Sequence, residues 1–110
     1  MNLVNLTPHP INVISNGKVV IISTSGIIAR CTTVISDLDP IYVDGVKIPI
    51  AQSLIGEIIN LPDTQPNTYY IASILVATKA KQLGRTDVVS PDTIRDDLGN
   101  IIGCRGFIIP

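Results

Sequence analysis

The sequence predicts an α+β fold, a mostly antiparallel β-sheet with one helix packed on it. Short apolar runs rich in β-branched residues recur along the whole chain. Two of the breaks between them are Asn16-Gly17 and Asp44-Gly45, the strongest short-range hairpin signal. Only one stretch, Ala72–Leu83, combines apolar residues at helical spacing with helix start and stop signals. At 110 residues the chain is expected to form a single domain, 1–110, with a core that needs no metal or disulfide staple.

Leu3–Leu6 reads as a short strand, followed by Thr7-Pro8-His9-Pro10, whose two prolines deny a ladder donor and force turn geometry. Ile11–Ile14 and Val19–Ile22 are the arms of a hairpin turning at Ser15-Asn16-Gly17-Lys18. Ser23–Gly26 breaks the chain before a third strand, Ile28–Ile35, which carries Arg30. Ser36–Pro40 reads as a turn, and Ile41–Val43 and Val46–Ile50 as a second hairpin. Ser53–Leu61 is ambiguous: Leu54, Ile55, Ile58 and Ile59 fit helical spacing, whereas Gly56 and the β-branched run favour a strand, the reading adopted. Pro62–Asn67 is a loop and Thr68–Ile71 a strand.

The helix follows, with Ile74, Leu75, Ala77, Thr78 and Leu83 on or near one face and Lys79 and Lys81 towards solvent. Ser73 suits the N-cap and Gly84 the C-terminal stop. Val88-Val89 is a short strand, Ser90-Pro91-Asp92-Thr93 a turn, Ile94-Arg95 a brief strand, Asp96–Asn100 a turn and Ile101–Phe107 the last strand.

Forty-five per cent of the residues are hydrophobic, twenty are isoleucine and only 15% are charged, with a mean hydropathy of +0.42. A sphere of this size cannot hide so much aliphatic surface, so burial between copies of the chain, a homo-oligomer, is expected. A net charge of −1 and a pI near 5.6 argue against a footprint for duplex DNA or RNA, but leave room for a small anion held by a few placed arginines. Cys31 and Cys104 lack CxxC spacing. They read as buried thiols in a reducing compartment, with a disulfide as the alternative. The opening MNLVNLTPHP has no basic n-region, and no apolar run reaches about 18 residues. A cytoplasmic protein without a membrane span is expected.

The residues do not point to catalysis. There is one histidine, His9, and one glutamate, with no Cys–His or Ser–His pairing, no HExxH, and no phosphate-binding glycine loop. Neither a metal nor a cofactor is expected, and Asp96-Asp97 sits in a turn-like DDLGN. Binding chemistry is better represented. Arg30 and Arg105 lie in apolar strands, where a guanidinium needs either an acid or an anionic ligand such as phosphate. Gly103 and Gly106 either let backbone approach a ligand or mark a bulge. Tyr69 and Tyr70 are neighbours on a strand, so one packs inward and the other is free to stack on a base. Ser90, Asp92 and Thr93 offer hydroxyls and a carboxylate suited to ribose or phosphate, or simply form a turn.

With these residues in view, the chain resembles the phage-encoded anti-Thoeris sponge proteins, the first Thoeris anti-defence family. The likeness is carried by Asn5-Leu6-Thr7-Pro8-His9, Ser25-Gly26-x-x-Ala29-Arg30, Tyr69-Tyr70-Ile71-Ala72-Ser73 and Arg95-Asp96-Asp97-x-Gly99-x-x-Ile102-Gly103, and does not extend to 37–61. The resemblance implies a protein that binds cyclic ADP-ribose isomers made by TIR-domain defence enzymes and holds them uncleaved, in dimers or hexamers, with cyclic oligonucleotides at separate sites in some members. On that footing Arg30, Arg95 and Arg105 are assigned by their chemistry to the pyrophosphate. Tyr69 or Tyr70 would take adenine, and Ser90, Asp92 and Thr93 the ribose hydroxyls. Two rival readings are a small β-rich phage structural or interaction protein with no nucleotide ligand, and a small enzyme using His9 with Asp92 or Asp97.

Overall fold

The computed structural model describes all residues, 1–110. Eight strands and one helix follow in the order β1 (Asn2–Asn5), β2 (Ile11–Ser15), β3 (Lys18–Ile22), β4 (Arg30–Val43), β5 (Val46–Ile59), β6 (Thr68–Ile71), α1 (Ile74–Gln82), β7 (Val88–Arg95) and β8 (Ile101–Ile108). Six strands form one sheet in the order β1-β6-β7-β8-β2-β3, while β4 and β5 form a separate two-stranded ribbon. The α+β class holds, but the sheet is mixed rather than mostly antiparallel. β1/β6, β6/β7 and β2/β8 run parallel, and β2/β3 and β7/β8 antiparallel. Tight turns between neighbouring strands are legible in sequence. The β6/β7 pair is the crossover that a strand–helix–strand order implies, whereas β1/β6 and β2/β8 join segments distant in the chain that no local signal announces.

Both predicted hairpin turns form. Asn16 and Gly17, and Asp44 and Gly45, all have positive φ, as a type I′ turn requires. The central stretch departs from expectation. Instead of turning at Ser36–Pro40, the chain runs through in one fourteen-residue strand, β4, paired with an equally long β5. Asp37 pairs in register with Ala51, and Asp39 and Pro40 are absorbed by a β-bulge between Leu38 and Ile41, a device that tolerates an unpaired residue without ending the strand. A second irregularity lies between Cys31 and Thr33, where the Thr32 hydroxyl accepts from the Glu57 N–H at 2.9 Å. Ser90–Thr93 is likewise not a turn but part of β7.

The core is small and sits between the sheet and α1. It comprises Leu6, Ala29, Tyr70, Ala72, Val76, Ala77, Ala80 and Val88, with Val4, Cys31, Ile58 and Leu61 packed at its margin. The helix therefore turns Val76, Ala77 and Ala80 inward and leaves Ile74, Leu75 and Leu83 exposed, a different face from the one predicted. Alanines let the helix lie close on the strands, and larger side chains are displaced to its flanks. Its ends follow the sequence. Ser73 accepts from the Val76 N–H, and Gly84, at φ +90°, closes a Schellman motif in which the Gly84 and Arg85 N–H groups donate to Lys81 and Ala80.

The free edge of β1 is taken up by the segment after β3. Asn5 bridges Thr24, and Ser25 and Ala29 donate to the Asn5 and Leu6 carbonyls. Buried Asn5 organises this corner. Its amide donates to the His9 and Ile22 carbonyls at 2.8 and 3.2 Å, and its Oδ1 accepts from the Thr7 N–H and hydroxyl at 2.9 and 2.6 Å. The Asn5–His9 motif is thus a turn that ties β1 to the end of β3, using the His9 carbonyl and not its imidazole. No helix is long and apolar enough to cross a membrane.

Candidate functional site

The β7–β8 hairpin carries most of the predicted binding residues. Asp92 pairs with Gly106 and Thr93 with Cys104, so Arg105 is the extra residue of a bulge. A bulge frees a side chain from the alternation of its strand, and the Arg105 side chain is 62% exposed. Its Nε lies 4.0 Å from Asp92 Oδ2, a loose contact between two solvated groups. Beside it, a methyl added at Gly106 would meet nothing, so the backbone next to the guanidinium is open to approach. Arg95, at the far end of β7, donates to the Gly99 carbonyl at 2.7 Å and so braces the Asp96–Asn100 turn. In that turn Asp96 Oδ1 accepts from the Leu98 and Asn100 N–H groups. Asp96 is accordingly committed to backbone.

Thr93 lines a cleft of about 250 Å³ with Pro10, Ile11, Asn12, Pro91 and the Ile101–Cys104 segment. Gly103 is required here by packing. A Cβ would come within 2.9 Å of Ile14 Cδ1 and 3.0 Å of the Asn12 carbonyl, where β8 runs alongside β2 at the Val13–Cys104 register. Cys104 is buried, and burial pushes its thiol above the ordinary value, which disfavours the nucleophilic thiolate. Both cysteines are free.

The remaining predicted residues are dispersed. Arg30 opens β4, opposite Ile59, exposed and in no salt bridge. Ser90 is buried within β7. The tyrosines divide as strand alternation requires. Tyr70 enters the core, with its hydroxyl donating to the Asp63 carbonyl at 2.9 Å. Tyr69 is half-buried and lines a second cleft of about 250 Å³ with Met1, Gln65, Asn67, Thr68, Thr86 and Asp87. One chain therefore does not gather the arginines, the tyrosine and the hydroxyls into one pocket.

Sequence reasoning passed over the best-ordered ionic group, Arg85 and Asp87. Their contact is bidentate, Nε–Oδ1 at 2.7 Å and Nη2–Oδ2 at 2.9 Å, and Nη2 also donates to the Pro62 carbonyl at 3.0 Å. The guanidinium stands 6.0 Å from the Tyr70 ring centroid, at the limit of cation–π attraction. The hydrogen bonds from Arg85 hold the Asp87 carboxyl below its ordinary range, and those to Asp87 raise Arg85. The signal was Gly84 followed by Arg-x-Asp: the Schellman turn aims Arg85 back across Tyr70 while β7 begins. Through the Pro62 carbonyl and the Tyr70 ring this pair ties the 62–70 segment to the end of the helix, and Asp87 also lines the Tyr69 cleft.

No family model, curated protein or solved structure matches this chain.

Proposed function

We propose that this chain is a phage immune-evasion protein that sequesters cyclic ADP-ribose-type immune signals in the infected bacterial cytoplasm without cleaving them. The observation that carries this reading is Arg105. It stands on a bulge, is held only loosely by Asp92, and lies beside the open backbone of Gly106, so its five donors are available to a pyrophosphate. Arg30, free of acid partners, is a second guanidinium of the same kind. Tyr69 presents a half-buried ring beside Asn67, Gln65 and Asp87, a set that suits base stacking with polar groups for ribose. Because these groups are spread over one chain, the reading requires a pocket completed by a second copy.

The test is calorimetry of the purified protein against cyclic ADP-ribose isomers and cyclic dinucleotides, followed by heat release and mass spectrometry of the ligand. Tight binding with intact ligand recovered, weakened at least tenfold by Arg105→Ala, is expected; a lost charged hydrogen bond costs about 1.5–3 kcal/mol. Recovery of converted ligand would make the chain an enzyme. Absence of binding across the panel would favour the second reading, a β-rich phage structural or interaction protein, which the exposed β4–β5 ribbon also suits.

A further inference from the structure

The ribbon has two unlike faces, and the bulge is what separates them. Register places Val34 opposite Leu54, Leu38 opposite Ile50 and Ile41 opposite Ile48, and directly opposed residues share a face. Leu38 and Ile41 are three apart, so strict alternation would put them on opposite sides; the extra residue of the bulge brings them onto one. The reverse face alternates Ile35, Asp37 and Tyr42 with Ser53, Ala51 and Lys47. All six residues of the apolar row are between 36% and 53% exposed, and no other part of the chain covers them.

An isolated two-stranded ribbon is marginal in water and needs a hydrophobic face packed on something. The chain exposes 7547 Å², whereas a compact chain of 11.8 kDa exposes about 5,900 Å². Covering half of that excess buries about 800 Å² on each partner, the standard size of a stable interface. We infer that the apolar face of the β4–β5 ribbon is the contact between two copies of this chain, ribbon packed on ribbon about a twofold axis.

A second copy fits this face better than a membrane or an unrelated protein. The only polar residues in the row are the opposed pair Ser36 and Gln52, near mid-ribbon. A twofold axis there sets Gln52 against the same amide of its mate, and an amide is both donor and acceptor. Such self-complementarity is what an isologous contact demands, whereas a polar pair in mid-row would be left unsatisfied in lipid. The outer half of the ribbon carries Asp37, Asp39 and Asp44 against the single cation Lys47, a net negative charge that an anionic membrane surface does not attract. Two such faces stacked about 10 Å apart make a four-stranded sandwich. This inference does not depend on the nucleotide reading and is tested without ligand.

Sedimentation equilibrium of the 110-residue chain at micromolar concentration is expected to give twice 11.8 kDa, or an even multiple of it. Leu38→Glu with Ile50→Glu should halve that mass. Its helix signal and a cooperative thermal melt should persist, since neither residue belongs to the core between α1 and the sheet. Ile35→Glu with Ser53→Glu, on the reverse face, should leave the mass alone. A monomeric wild type, an apolar-face variant that keeps its mass, or equal dissociation by both variants would overturn the inference. So would a monomer that floats with phosphatidylglycerol vesicles.

Discussion

Asp87 has the clearest energetic role of any single side chain. Its pKa is depressed from the ordinary 3.8 chiefly by the hydrogen bonds from Arg85. The stabilisation this represents is fully present above the unfolded value and is lost as pH falls through the lower folded value. Asp87→Asn is expected to cost about 1–2 kcal/mol at neutral pH. The gap in melting temperature between variant and wild type should then shrink as the pH is taken below the carboxylate range. A gap that persists undiminished at acid pH would mean that the pair is merely a packing contact. Neither side chain stands out in the sequence, because residues two apart on an extended chain share a face and such spacings are common. What singles this pair out is the Pro62 carbonyl and the Tyr70 ring, which only the fold brings beside Arg85. Asn5 is the opposite case: the motif was visible, but its meaning as a hub of four bonds, three within the Thr7–His9 turn and one tying β1 to β3, depended on where Ile22 and His9 come to lie.

Among the elements, β8 shows how glycine separates two readings that sequence leaves level. Gly103 lies under the Asn12 carbonyl and Ile14, and Gly106 faces open space. Gly103→Ala must displace Ile14 or push β2 away from β8, because the Asn12 carbonyl cannot rotate aside within its ladder. A loss of about 1–3 kcal/mol is expected, in the range of an overpacked core. Gly106→Ala should be within about 0.5 kcal/mol of wild type. Chemical denaturation of the two variants side by side measures both, and equal effects would refute the assignment. The helix is a milder lesson. Its caps were readable because they are local chemistry, while its buried face was not, because the sheet admits only the small side chains of Ala77 and Ala80 beside Val76.

For the molecule as a whole, shape is the principal finding. The radius of gyration is 18.0 Å and the extents are 59 × 38 × 23 Å, against about 13 Å for a compact chain of this length. The core cluster and the residues at its margin draw on the ribbon only at its root, through Cys31 and Ile58. The outer ribbon, 34–54, is therefore separable from the fold. A chain in which that segment is replaced by a short turn is expected to melt cooperatively and to scatter with a radius of gyration near 12–13 Å. Failure to fold would mean that the ribbon supports the sheet in a way its contacts do not reveal.

What the sequence determined by itself was local. The two type I′ turns at Asn16-Gly17 and Asp44-Gly45, the caps at Ser73 and Gly84, the strand character of the 53–61 stretch as far as Ile59, and the division of Tyr69 from Tyr70 all follow from neighbours within a few residues. The surplus of isoleucine was equally plain, and its expected destination was an interface. Tertiary structure alone decided that the sheet is mixed, that β4 runs on through Asp37–Pro40, and that Arg105 is lifted out on a bulge. It alone also decided that Arg30, Tyr69 and Arg105 lie apart in one chain. Each of these depends on which strand supplies the hydrogen-bonding partner and in what register. A strand's own residues state that it needs a partner, but only the assembled ladder settles which one, and so which side chains meet.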